Sequence, residues 1–157
     1  GSYILEMLRM LMYDPQQKNP DARFIAMLRD FTSTYAGKNA STEEFRRMVE
    51  KHVGVSAEWF FEEWVYGSYT PTYDFSYQLS DAGTGQTEVS ISLTQSDVPE
   101  SFQMQLPLYI EANGEQRFVG RVPITGTKPL KTSFKLPLRP DKVVLDPNRS
   151  VLAEIRQ

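Results

Sequence analysis

The chain has 157 residues, 40% apolar and 24% charged, a globular composition with length enough for one core or two small ones. Seventeen Lys and Arg against 20 Asp and Glu give a net charge of −3, which excludes the broad basic surface of a sequence-independent nucleic-acid binder. Cysteine is absent, so disulfides and thiolate metal sites are excluded, and no apolar run approaches the roughly 20 residues of a membrane span. None of this fixes a compartment.

Residues 1–66 read as helical. In Tyr3 to Met12 the clearly polar side chains are Glu6 and Arg9, and with Ser2 they share one narrow stripe at 100° per residue. This helix is apolar on nearly every side and is expected to pack against a neighbour that its own chain does not supply. Burying three such Leu, Ile or Met side chains is worth about 5–9 kcal/mol, so self-association through this helix is the expected alternative. Asn19 is positioned to cap a second helix with Pro20 at its first position, and Phe24, Met27, Leu28, Phe31 and Tyr35 line one face up to Gly37. Ser41-Thr42-Glu43-Glu44 has the spacing of a capping box, with Phe45, Met48, Val49 and His52 on one face up to Gly54. In a fourth helix Ser56 is the expected cap, Val55 and Phe60 the expected staple, and Ala57, Phe60, Phe61 and Trp64 an aromatic face.

The period changes near Gly67. Tyr73, Phe75, Tyr77 and Leu79 alternate with polar residues, as do Val89, Ile91 and Leu93, then Phe102, Met104, Leu106, Leu108 and Ile110. Asn113-Gly114 is a type I′ hairpin pair leading into Phe118–Ile124, and further short strands are expected at 131–137 and 142–146. About six strands with no helical pattern between them predict an antiparallel β-sandwich. Residues 69–116 carry seven acidic and no basic side chains, while 117–157 carry nine basic and three acidic, so early and late strands are expected to lie beside each other and compensate.

Chemistry-bearing constellations are sparse. The one histidine, His52, cannot make a two-histidine zinc site and is read as a packing residue bound to a backbone carbonyl. Glu43-Glu44 and Glu62-Glu63 are adjacent, hence about 100° apart on a helix, and read as a cap and a solvated face. Gly83-Thr84-Gly85 lacks the rest of a phosphate loop and reads as a hairpin tip. Trp59 and Trp64 read as structural. No catalytic, cofactor-binding or metal-binding residue is assigned within 1–157.

Four stretches resemble, in order, the part of the aminopeptidase N (gluzincin) family of zinc metallopeptidases that follows the active site. Gly1 to Arg9 is similar to the family's K-G-x-x-[VI]-L-x-M-L-R helix, Phe24 to Phe31 to its F-x-x-x-L-x-x-[FY] helix, and Ala40 to Phe45 to its A-[ST]-[ST]-x-[DE]-F helix start. The run Trp59-Phe60-Phe61-Glu62-Glu63-Trp64-Val65-Tyr66-Gly67, followed by Pro71-Thr72-Tyr73, resembles its F-F-x-x-W…G-x-P element. The resemblance implies an α+β fold. Residues 1–68, about four helices, would end a thermolysin-like catalytic domain, and residues 69–157 would form an antiparallel Ig-like β-sandwich.

The family's H-E-x-x-H helix, its glutamate ligand, its G-x-M-E-N loop and its transition-state tyrosine are not found here. The resemblance therefore implies a catalytically inert carboxyl-terminal fragment. Its parent would use zinc-activated water on amino-terminal peptide bonds, with peptide as substrate and the absent upstream catalytic half as partner. Gly1 would lie just past the last catalytic residue, unless Gly1-Ser2 is foreign to the natural chain. The competing expectation is a non-enzymatic protein-binding module or an inactive relative of the peptidases.

Overall fold

Helix α1 (Ser2–Met12) turns Met7, Leu8, Met10 and Met12 into buried positions and leaves Tyr3 48% and Leu5 41% exposed. The computed structural model describes residues 2–157, in which one unit ends at Ser68 and a second begins at Tyr69. Only the amino-terminal part of α1 therefore stands open, a narrower exposure than its apolar circumference predicts. Its polar stripe is used: the Arg9 guanidinium grips both Asp21 carboxylate oxygens, at 3.1 and 2.8 Å.

That grip occupies the carboxylate just ahead of α2 (Ala22–Thr34). Asp21 occupies its N-cap without a side-chain cap bond, and Asn19, the expected cap, instead accepts from the Asp21 amide at 3.1 Å in a preceding turn. Helix α3 (Thr42–Val53) forms as its sequence predicts. The Ser41 hydroxyl accepts from the Glu44 amide at 3.1 Å, the Glu44 carboxylate accepts from the Ser41 amide at 2.7 Å, and Gly54 closes the helix at φ +77°. Helix α4 (Glu58–Trp64) is started from outside: Glu50 of α3 accepts from the Ala57 amide at 2.8 Å. Ser56 accepts from the Glu58 amide at 3.2 Å, one position ahead of the N-cap residue Ala57. Val55 is 67% exposed, so the expected staple to Phe60 is not made.

Aromatic edges join the last three helices. Tyr35 meets Phe31, Phe31 meets Phe45, Phe45 meets Phe61 and Phe61 meets Phe60, with ring centroids 5.1, 5.1, 6.0 and 5.8 Å apart. Such pairs add about 0.5–1.5 kcal/mol each beyond the area they bury. Trp64 is buried with Phe60 and Phe61 on one face of α4.

The second unit holds seven strands: β1 (Thr72–Asp81), β2 (Thr87–Ser96), β3 (Gln103–Ala112), β4 (Glu115–Thr125), β5 (Leu130–Leu136), β6 (Lys142–Leu145) and β7 (Glu154–Arg156). They form a four-stranded sheet of order β5-β2-β1-β7 and a three-stranded sheet of order β4-β3-β6. The predicted alternation is kept, with Val89, Ile91 and Leu93 buried on β2 and Met104, Leu106, Leu108 and Ile110 on β3. Gly83–Gly85 is the β1–β2 tip, and Asn113 and Gly114 turn β3 into β4 at φ +53° and +77°. One pairing departs from the antiparallel expectation. Strand β7 runs parallel to β1, and at three residues it is too short to show a period in the sequence.

Charge compensation occurs within the first sheet, where Glu88 stands opposite Lys135 and Asp74 lies 4.0 Å from Arg156. Pro107 sits inside β3 without breaking it because β6 pairs only with Leu108–Glu111. The carbonyl of Pro107 faces the chain beyond β6 and accepts from the Asp146 amide at 2.8 Å. Asp146 is buried at φ +42°, and its carboxylate accepts from the Ser150 amide, the Ser150 hydroxyl and the Val151 amide at 2.9, 2.6 and 3.0 Å. Burial pushes this carboxyl above its ordinary value despite those donors.

The polar centre of the unit is Gln95, 0% exposed at the end of β2. Its Oε1 accepts from the Tyr73 hydroxyl at 2.8 Å, and its Nε2 donates to the Phe102 and Gly126 carbonyls, each at 3.1 Å. Gly126, at φ +70°, leaves no room for a side chain, since a Cβ would stand 2.8 Å from the Glu100 carbonyl oxygen. Replacing Gln95 with Leu removes three buried hydrogen bonds at once. With about 1–3 kcal/mol for each buried group that loses its partner, the variant is expected to lose at least about 2 kcal/mol in urea unfolding. A loss under about 0.5 kcal/mol would show that the network is dispensable.

Candidate functional site

One groove in the helical unit is lined chiefly by apolar residues. Ile4 and Leu5 of α1, Phe31 of α2, Phe45 of α3, and Phe61 and Val65 at the end of α4 surround about 320 Å³, with Ala40, Ser41 and Thr42 completing the wall. Each helix contributes through its own core-facing period, and the α3 cap fixes the Ala40–Thr42 wall. The groove's lining carries no charged side chain. Ser41 is the one residue of the α3 cap on the wall, and its hydroxyl is occupied by the Glu44 amide.

The titratable groups cluster elsewhere, along α2 and α3. Asp30 Oδ2 lies 2.8 Å from Lys51 Nζ and 2.8 Å from His52 Nε2, while Thr34 Oγ1 reaches Asp30 Oδ1 at 3.3 Å. The hydrogen bonds from Lys51 and then His52 hold the Asp30 carboxyl down to about 2. Arg46 bridges Glu43 at 2.7 Å and Glu50 at 3.2 Å, and its bond to Glu43 holds that carboxyl below the ordinary value. Glu50 in turn serves the Ala57 amide, so this ion network sets how α3 passes into α4.

His52 is thus engaged by a carboxylate on another helix, where the sequence predicts a backbone carbonyl. Glu44 is the cap that the sequence predicts, Glu43 is an ion-pair partner, Glu62 is exposed and Glu63 is half-buried. Among the described residues, no three His, Asp or Glu side chains come together as a metal cage. Asp30, Gln95 and Asp146 are the buried or half-buried polar residues that sequence reading misses. Asp30 carries no local signal, because its partners lie 21 and 22 positions along the chain, whereas Gln95 continues the inward alternation of Val89, Ile91 and Leu93.

No family model and no curated protein matches the chain. Among solved structures it is similar to Legionella pneumophila aminopeptidase A, solved in complex with aspartic acid, with a TM-score of 0.69 at 12% identity. The likeness covers 99% of this chain and 17% of that one, so the chain spans about a sixth of the length of the protein it matches. At this identity the likeness is one of fold alone.

The Asp30 cluster carries a pH signature. A carboxyl near 3.9 in the unfolded chain and near 2 in the fold contributes stability that is complete above about pH 4 and is lost as pH falls through about 2. Asp30→Asn is expected to lower the urea midpoint at neutral pH and to flatten its fall between about pH 4 and 2. A parallel acid limb in both proteins would remove Asp30 from the account.

Proposed function

We propose that this chain is a non-catalytic part of a zinc-dependent metallopeptidase resembling aminopeptidase N. In this reading residues 1–68 are the helical end of a thermolysin-like catalytic domain, and residues 69–157 pack their two sheets as an Ig-like β-sandwich. The observation that supports it is the fold likeness to a segment of an aminopeptidase, which runs over 99% of the chain. It coincides with four ordered motifs read independently from the residues. Hydrolysis of amino-terminal peptide bonds, and the peptide substrate, belong to the parent. The groove at Ile4, Leu5, Phe45 and Phe61 is the surface on which the catalytic half would rest.

The residues present here do not fit a zinc ion. The single histidine is committed to Asp30 beside Lys51, cysteine is absent, and no third ligand converges on the pair among the described residues. No step of peptide hydrolysis is therefore assigned to any residue of this chain.

The purified chain, given one equivalent of zinc and dialysed, is expected to retain none and to leave aminoacyl anilides intact. Stoichiometric zinc that is lost in His52→Ala would overturn the reading. In the natural gene, an upstream H-E-x-x-H would support a working peptidase, and its absence would favour the second reading, a protein-binding module or inactive relative. Leu5, 41% exposed on the groove wall, favours contact with a partner in either case. Light scattering is expected to find concentration-dependent self-association of the isolated chain that Leu5→Glu abolishes. A strictly monomeric wild type would remove α1 as a docking element.

A further inference from the structure

The edges of the two sheets are guarded unequally. Strand β4 carries Pro123 and a bulge at Val119, since Leu108 faces Gly120 and Tyr109 faces Phe118. Strand β5 carries Lys131 and Lys135 between Pro129 and Pro137, while β6 has four residues and β7 three. Charges, prolines, bulges and short strands all discourage a foreign strand from pairing. Strand β1 is different. Its neighbour β7 accompanies it only from Thr72 to Asp74, so Ser76-Tyr77-Gln78-Leu79-Ser80-Asp81 forms an edge with no proline, lysine or bulge.

Two observations mark this stretch. The Glu154 amide donates to the Pro71 carbonyl at 3.1 Å, and the main-chain groups of a strand point to the same side at every second residue. Those of Tyr77, Leu79 and Asp81 therefore face the side that β7 has left, and among the described residues no backbone group pairs with them there. Burial fails at the same point. Tyr73 and Phe75 are buried, whereas Tyr77 and Leu79, on the same face by alternation, are half-buried although their β2 partners Ile91 and Val89 are buried. Asp81 closes the stretch on that face and is exposed.

We propose that residues 76–81 of β1 accept an extended peptide as an added strand, antiparallel as β2 is, in which a basic residue is followed two and four positions later by apolar ones. Its main chain satisfies Asp81, Leu79 and Tyr77, its apolar side chains cover Leu79 and then Tyr77, and its Lys or Arg stands opposite Asp81. A second copy of this chain fits less well. Antiparallel self-pairing in register with those groups sets Asp81 opposite Phe75, Tyr77, Leu79 or another Asp81, never opposite a basic residue.

The test uses the full chain and a capped peptide of sequence Thr-Lys-Thr-Val-Thr-Val-Thr, followed by titration and amide hydrogen exchange. Saturable one-to-one binding is expected. The amides of Tyr77, Leu79 and Asp81 are expected to gain protection, while those of Ser76, Gln78 and Ser80, which face β2, stay as they were. The same peptide N-methylated at every amide keeps its side chains but has no N–H donor, and is expected to bind at least about tenfold more weakly. Exchanging its lysine for glutamate is expected to weaken binding about threefold, and Asp81→Lys, a change at an exposed position, to restore it. Protection of those three amides already in the free chain, whether by its own residues or by a second copy, would overturn the proposal. So would protection confined to other strands, equal affinity for the N-methylated peptide, or indifference to the charge exchange.

Discussion

A single buried amide holds the strand unit in register. Gln95 closes β2 at a position where alternation demands an inward side chain, and an apolar residue there would fill the space equally well. Its hydrogen bonds instead reach β1 through Tyr73, the entry to β3 through Phe102 and the exit from β4 through Gly126. Because a one-residue slip turns every side chain to the opposite face, a partner set drawn from both sheets penalises every slipped pairing. Gly126 belongs to the same constraint, since only a residue without Cβ brings its carbonyl to Gln95 beside Glu100.

The helical unit relies on a different currency. Its rings touch edge to face from α2 through α3 to α4, and ions, not apolar contacts, set the entrances of its helices. Arg9 takes Asp21 away from capping, and Glu50 lends α4 the cap that its own sequence lacks. The groove follows from this arrangement: the helices are fixed by contacts along their length, and Ile4, Leu5 and Val65 at their ends line the space left between them.

What could be read from the sequence was local. The α3 cap at Ser41 and Glu44, its stop at Gly54 and the turns at Gly83–Gly85 and Asn113-Gly114 each depend on residues within four positions of one another, and each is found as read. The α2 cap and the partner of His52 differ from the sequence reading because distant residues intervene, Arg9 holding Asp21 and Asp30 holding His52. Strand β7 escaped for a related reason, having too few residues to declare a period and depending on β1 for its existence. The groove was equally invisible, since no one contiguous segment lines it.

The parallel pairing of β7 with β1 sets the order of events when the chain is made. These are the last and first strands of their unit, Thr72 opposite Glu154, and Gln157 is needed to stitch β7's end to β6. The local hairpins β1–β2 and β3–β4 form as soon as their turns are available. The sheet edge closes only after residue 157 has left the ribosome, because its partners lie more than 80 positions apart. Contacts of such separation slow the final step of folding. Until then, the edge of β1 that later receives β7 stands unpaired in the nascent chain.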